Sequence, residues 1–251
     1  MAGLFDNRFA VFPKQSVLLI IHNFYAEMKR HALIVAGGSG SRLGAPIAKQ
    51  YLPIGNRPIL MHTLSKFHGF DPGLSLILVI PGADFSYWKS LCQEYNFDVP
   101  HLLVAGGQSR FQSVKNGLDA IADTEGLVAI HDGVRPFVNF DVIQQSFQTA
   151  HLTGSAIAVV ELKDSIRKVG ASGSSVFQNR NEFRLVQTPQ TFQLKKIKKA
   201  FEVEESVAFT DDATVYEHQG WQVSLISGNL ENIKITTKED LEYAAYLVSK
   251  K

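Results

Sequence analysis

Residues 33–52 read Leu33-Ile-Val-Ala-Gly-Gly-Ser-Gly-Ser-Arg-Leu-Gly-Ala-Pro-Ile-Ala-Lys49-Gln-Tyr-Leu. The apolar run Leu33 to Val35 reads as a buried strand. Gly37, Gly38 and Gly40 after it can take positive φ, which lets a loop curl and turn several N–H groups inward. Such a concave set of N–H groups attracts anions. Arg42 and Lys49 add two fixed cations, so the stretch is suited to a polyphosphate, above all a nucleoside triphosphate. The Walker A pattern fails, because Gly44 is followed by Ala45 and Pro46 rather than Lys and Ser or Thr. The dinucleotide pattern Gly-x-Gly-x-x-Gly also fails, because its third position is Leu43. A plain glycine-rich turn between strand and helix is the alternative, but it has no use for Arg42 and Lys49.

Two further stretches could complete such a site. His131-Asp132-Gly133-Val134-Arg135-Pro136 follows the apolar run Leu127 to Ile130. Ligands of open α/β sheets bind beyond the carboxyl ends of the strands, so Asp132 falls where the glycine loop ends. A carboxylate beside a triphosphate is suited to Mg2+, a hard cation that takes oxygen ligands and keeps several waters. The competing use of Asp132-Gly133 is a turn. Asn232-Ile-Lys234-Ile-Thr-Thr237 reads as an edge strand, with Lys234 on the face opposite Ile233 and Ile235. Lys234 is either solvated or a third cation for the phosphates. The histidines show no metal spacing. His131 reads as a core or hydrogen-bonding residue rather than a base, and Cys92 as a small core residue.

The elements that must position these residues follow from the apolar pattern. Strands are expected at 75–80, 101–104, 127–130, 156–160 and 221–226. Helices are expected at 84–95, 110–122, 142–151, 195–201, 211–219 and 238–248. Repeated strand–helix units with apolar strands predict an α/β fold, a Rossmann-like three-layer sandwich on a mostly parallel sheet. Residues 161–186 break the rhythm with a polar stretch. Val169-Gly-Ala-Ser-Gly-Ser-Ser-Val176 in it reads as the turn of a protruding β-arm that could pack on a second subunit.

Composition bounds the rest. The chain has 251 residues, 45% hydrophobic and 20% charged, with net charge +1. That gives no global electrostatic case for nucleic acid or a membrane surface. The single Cys92 excludes an internal disulfide and a Cys-rich zinc site, and fits the cytoplasm. Residues 1–27 differ in character from the rest of the chain. Their run Val17 to Ile21 is shorter than a signal core and far below the ~20 residues that span a bilayer. Met28 reads as a natural start, with 1–27 an extension outside the fold and 28–251 the domain; the alternative is that 1–27 adds an accessory strand that packs on it.

Seven runs occur in a fixed order. They are Ala36-Gly-Gly-Ser-Gly-Ser-Arg42-Leu-Gly, Pro-x-x-Lys49-Gln-Tyr-Leu, Ala105-Gly-Gly-Gln-Ser-Arg110, His131-Asp-Gly-Val-Arg-Pro136, Gln187-Thr-Pro-Gln190, Phe209-Thr-Asp-Asp212 and Glu231-Asn-Ile-Lys-Ile-Thr236. Together they closely resemble the 2-C-methyl-D-erythritol 4-phosphate cytidylyltransferases of the non-mevalonate isoprenoid pathway, from about Met28 onward. Ser41 stands where some members carry a second arginine. The resemblance implies CMP transfer from CTP to methylerythritol phosphate with loss of pyrophosphate, in a homodimer with Mg2+. By resemblance, Ala36, Gly37, Gly38 and Gly40 belong to the nucleotide loop, and Gly106, Gly107 and Ser113 help recognise cytidine. Arg42, Lys49 and Lys234 act on the phosphates, Lys49 and Lys234 nearest the α-phosphate, and Asp132 ligates the metal. Arg135, with Ser165 and Arg180 from a partner's arm, binds methylerythritol phosphate. The nearest rival is ribitol-5-phosphate cytidylyltransferase. A nicotinamide-dependent reductase, using Tyr246 and Lys250, and a non-catalytic nucleotide-binding module are the readings from other classes.

Overall fold

The computed structural model describes residues 28–38 and 47–250. The extension 1–27, Gly40 and Arg42 therefore lie outside the described residues. The chain opens with β1 (Arg30–Val35), continues through the short ribbon β2 (Pro53–Ile54) and β3 (Arg57–Pro58), and enters α1 (Ile59–Phe70). Then come β4 (Ser75–Ile80), α2 (Phe85–Glu94), β5 (Leu102–Ala105), α3 (Arg110–Asp119), β6 (Leu127–Asp132), α4 (Phe140–Thr153) and β7 (Ser155–Glu161). The arm strands β8 (Ile166–Val169) and β9 (Ser175–Gln178) precede β10 (Arg184–Gln193). The chain closes with α5 (Leu194–Ala200), α6 (Asp212–Glu217), β11 (Leu225–Ser227) and α7 (Lys238–Ser249).

Seven strands form one sheet in the order β11-β7-β10-β6-β1-β4-β5. Among the described residues, only β10 runs against the other strands of this sheet. Alternate residues of each apolar strand enter opposite layers, as the two-residue strand period requires. Ala32 and Ile34 of β1 pack with Leu64 and Phe67 of α1, Trp88 of α2 and Phe147 of α4. Leu33 and Val35 pack on the other side with Val114 and Leu118 of α3, Ile197 of α5 and Tyr216 of α6. The expected three-layer architecture is thus present. A smaller core joins Ile59, Phe137 and Ile235 to Ala244 and Leu247 of α7.

Several elements differ from expectation, and the strand expected at 221–226 is confined to Leu225–Ser227. The apolar pattern marks no helix at 59–70, where α1 stands, and no strand at 184–193, where β10 stands in mid-sheet. Proline removes a ladder donor and argues against an interior strand. Here the β10–β7 register shifts between Val186 and Gln190, and Pro189 sits in that irregularity. Lys234 is not on a strand, since residues 232–236 form none. The arm is a hairpin, with Val169 opposite Ser175 and Ile166 opposite Gln178. Its Val169, Val176 and Phe177 are exposed.

Candidate active site

The chain builds β1, β4 and β5 outward in one direction, then returns to place β6 on the other side of β1. This reversal is the topological switch at which open α/β sheets bind ligands. Parallel pairing sets Val35 beside Asp132. The Gly133 N–H then donates to the Val35 carbonyl at 2.8 Å. The glycine loop and the Asp132 turn are therefore anchored to each other. A cavity of about 470 Å³ lies over them, lined among others by Gly38, Lys49, Arg110, Asp132 and Lys234.

Asp132 organises the charges. Its Oδ2 takes Arg135 Nε at 3.0 Å and Lys234 Nζ at 3.2 Å, while Arg110 Nε stands 4.0 Å from Oδ1. Burial alone would raise the Asp132 pKa, but Lys234, Arg110 and Arg135 outweigh it and hold the carboxyl well below the usual range. Arg110 is itself fixed by a bidentate pair with the fully buried Asp212, at 2.7 and 2.6 Å. Burial works against the Arg110 charge, but Asp212 and then Asp132 keep it protonated. Lys234 reaches the cavity from a loop. Ile235 is fully buried and Ile233 partly so, which leaves Lys234 facing the other way. The expected alternation thus holds without a strand.

Lys49 opens a single 3₁₀ turn, Lys49–Tyr51. Gln50 Nε2 donates to the Ala36 carbonyl at 2.9 Å, and the Tyr51 hydroxyl donates to Asp84 Oδ2 at 3.0 Å. Ala36, Gly37, Gly38, Gly107 and Ser113 also line the cavity. Gly37 and Gly38 do not use the positive φ open to them. Close approach explains the glycines at the far wall instead. A Cβ on Gly107 would stand 2.3 Å from Gln112 Cβ, and one on Gly106 would stand 3.0 Å from Ser113 Oγ. Ser113 Oγ is already engaged, donating to the Ser109 carbonyl at 2.8 Å and accepting from the Gly107 N–H at 3.1 Å. Ser109 caps α3 by accepting from the Gln112 N–H at 3.0 Å.

Not every expected residue meets this cavity. Gly106 lies behind it, and Arg135 sits beside it on Asp132, with Nη1 donating to the Asn232 carbonyl at 2.9 Å. Ser165 and Arg180 stay exposed at the arm, where the Arg180 guanidinium donates to the Lys163 carbonyl. Tyr246 and Lys250 stack on each other at the end of α7, with Lys250 Nζ 4.5 Å from the ring centre and neither residue lining the cavity. Cys92 is partly buried against the core, and burial raises its thiol to about 11. Sequence reasoning gives no role to Arg110 or Asp212, although both lie in the ordered runs. Their pairing spans 102 positions, which local spacing does not reveal.

His131 is fully buried, with Phe67 edge-on at 4.9 Å. Burial lowers its pKa to about 4. The imidazole is therefore neutral at pH 7, but its two nitrogens are taken by the Arg135 carbonyl and the Thr188 hydroxyl and it does not line the cavity, so it is not placed to act as a base. An unfolded histidine titrates near 6.5, so between these values the unfolded chain binds the extra proton. Stability is then expected to fall as pH drops from 7 to 5, by about 2 kcal/mol from His131 alone. Urea unfolding at both pH values measures this, and an unchanged midpoint would contradict it.

The sequence pattern of the family described as IspD, 2-C-methyl-D-erythritol 4-phosphate cytidylyltransferase, matches residues 30–250. The chain belongs to this family. It is 48% identical over 221 residues to the 2-C-methyl-D-erythritol 4-phosphate cytidylyltransferase of Bacteroides fragilis, and 46% identical over 221 residues to that of Phocaeicola vulgatus. Each alignment covers 88% of this chain and 100% of the relative. The crystal structure of 4-diphosphocytidyl-2C-methyl-D-erythritol synthase from Anaerococcus prevotii superposes with a TM-score of 0.78 at 29% identity, covering 90% of this chain and 99% of that one. As a cytidylyltransferase of this family, the chain carries its cation cluster at the switch point of the sheet.

Proposed function

We propose that the chain transfers CMP from CTP to 2-C-methyl-D-erythritol 4-phosphate, releasing pyrophosphate and forming 4-diphosphocytidyl-2-C-methyl-D-erythritol. Family membership supports the reaction. The observation that carries the site is the carboxylate of Asp132, held among Arg110, Arg135 and Lys234 on a cavity that opens onto Gly37 and Gly38. The ribitol-5-phosphate reading is not favoured, since the family match is to the methylerythritol enzymes.

The acceptor's phosphate has a second pKa near ~6, so its attacking oxygen is already anionic at neutral pH. No general base is required, which agrees with a buried His131 whose two ring nitrogens are both hydrogen-bonded within the protein. The barrier is the approach of one anion to another and the charge gathered at the α-phosphorus. Positioned cations lower such a barrier. In this reading Lys49 and Lys234 hold the α-phosphate, and Arg42 holds the triphosphate with backbone N–H groups of the Ala36, Gly37, Gly38 and Gly40 loop. Gly107 and Ser113 form the wall against the cytosine, with Gly106 behind them. Arg135 receives the acceptor phosphate.

Mg2+ fits Asp132 as a metal carried largely by substrate. Among the described residues, no group of three or more His, Cys, Asp or Glu side chains could hold a metal ion. Mg2+ commonly takes one or two carboxylates and fills its shell with phosphates and water. Asp132 lines the cavity, and its Oδ1 stands 4.0 Å from Arg110 Nε. When bound there, the ion would neutralise phosphate charge.

Ser165 and Arg180 would complete the acceptor site from the arm of a second subunit. The exposed Val169, Val176 and Phe177 supply apolar surface for that contact. Two-fold pairing would place each arm over the other cavity. Arg180→Ala is expected to raise KM for methylerythritol phosphate more than KM for CTP. Arg180→Ala subunits mixed with Lys49→Ala subunits should regain activity, since one site of the heterodimer carries neither lesion. Proven subunit exchange without rescue would contradict the shared site. Among the described residues no helix is long and apolar enough to cross a membrane.

Pyrophosphate release tests the proposal, with CTP compared against ATP, GTP and UTP, and with methylerythritol phosphate compared against ribitol 5-phosphate. The expected preference is for CTP with methylerythritol phosphate. Equal or better turnover with ribitol 5-phosphate would overturn the acceptor assignment.

A further inference from the structure

The turn from Asp132 to Arg135 carries two groups of the site, and its backbone is held from several sides. The Arg135 N–H donates to the Asp132 carbonyl at 3.1 Å, and the Ile235 N–H donates to the Val134 carbonyl at 3.0 Å. The carbonyls of Gly133 and Arg135 are held by side chains instead. Thr63 of α1 is fully buried, and its hydroxyl donates to the Gly133 carbonyl at 2.8 Å. Its contact with the Ile59 carbonyl of its own helix is longer, at 3.4 Å. His131 Nε2 lies 3.0 Å from the Arg135 carbonyl.

A carbonyl only accepts, so His131 carries its proton on Nε2. Its Nδ1 is then a bare acceptor for the Thr188 hydroxyl at 3.1 Å. Thr188 Oγ1 in turn accepts from the Asp132 N–H at 3.0 Å. One imidazole thus ties the Arg135 carbonyl to the backbone of Asp132. The turn has little room to settle elsewhere, because a Cβ on Gly133 would stand 2.8 Å from Ala36 Cβ. Neither Thr63 nor His131 lines the cavity.

We infer that Thr63 and His131 are positioning residues, which hold the Asp132–Arg135 turn so that carboxylate and guanidinium meet in one fixed arrangement. The inference rests on the proposed site, in which Arg135 receives the acceptor phosphate. Sites of this kind lose activity when supporting bonds let them drift by even ~1 Å. Arg135 moves with its carbonyl, so the acceptor should feel the loss before CTP does.

Two nearly isosteric replacements of Thr63 separate this role from packing. Thr63→Val keeps the volume and removes the hydroxyl, while Thr63→Ser keeps the hydroxyl and removes a methyl. Thr63→Val is expected to raise KM for methylerythritol phosphate by about five- to tenfold, the effect of one lost neutral hydrogen bond. KM for CTP should stay within about twofold of wild type, and Thr63→Ser should restore acceptor binding. A packing role gives the reverse order, with serine the worse variant. His131 gives a second reading. Glutamine can place an N–H near the Nε2 position and should largely preserve KM, whereas asparagine is too short and should raise it. Wild-type turnover together with an unimpaired Thr63→Val overturns the inference alone. Absence of acceptor-dependent pyrophosphate release in wild type overturns the site reading, and the inference with it.

Discussion

Lys49→Ala is expected to lower kcat by roughly 10²- to 10³-fold, the scale seen when one preorganised charge-stabilising group is removed. The backbone that presents Lys49 is held independently of its ammonium group. Gln50 bonds the Ala36 carbonyl, Tyr51 bonds Asp84, and the Leu52 N–H bonds the Lys49 carbonyl at 3.1 Å. The melting temperature should therefore change little while kcat falls. If Lys49 acts on the α-phosphate as charge develops, KM for CTP should shift less than kcat. Steady-state kinetics with both substrates saturating decides this. A near-native kcat would remove Lys49 from the chemistry.

Asp132→Asn should produce a loss of comparable size with a different signature. The substitution keeps the shape and removes the charge that Arg135 and Lys234 share at 3.0 and 3.2 Å. Half-maximal activation should then need more Mg2+, and kcat should remain depressed by roughly 10²-fold at saturating metal. Removing one partner of a buried charge cluster leaves the others uncompensated, so stability should fall as well. Titration of activity against Mg2+ separates the two effects, because an enzyme that is merely destabilised keeps its metal dependence. An unchanged metal curve with near-native kcat would mean that Asp132 only orders its neighbours.

Much of this arrangement can be read from the chain, for identifiable physical reasons. The runs around Ile34, Leu78 and Ile130 are apolar on both faces because helices cover both sides of the sheet, so they announce themselves as interior strands. Gly173 and its flanking residues mark the hairpin turn just where β8 and β9 pair. β10 stays hidden because its interior positions are polar. Gln190 bonds Asp211 and the Ala213 N–H, each at 2.8 Å, and Thr191 bonds Ser146 at 2.9 Å. Hydrogen bonding offsets the cost of burying them, so hydropathy gives no strand signal there. The cations at Lys49 and Lys234 could be singled out by their setting. Arg110 could not, because its significance comes from Asp212 on another helix and Asp132 on another strand. Thr63 is similarly silent, an ordinary helical threonine until Gly133 is brought to it.

The most direct measurement is phosphorus-31 NMR of the wild-type enzyme with CTP, methylerythritol phosphate and Mg2+. The central claim is that the acceptor's phosphate oxygen attacks the α-phosphorus of CTP at the Asp132 cluster. It predicts that CTP and acceptor disappear together, with one pyrophosphate and one cytidine diphosphodiester formed for each pair. CTP without acceptor should remain intact, and Lys49→Ala should slow both product signals equally. Pyrophosphate formed without acceptor, or CMP in place of the diphosphodiester, would contradict the claim.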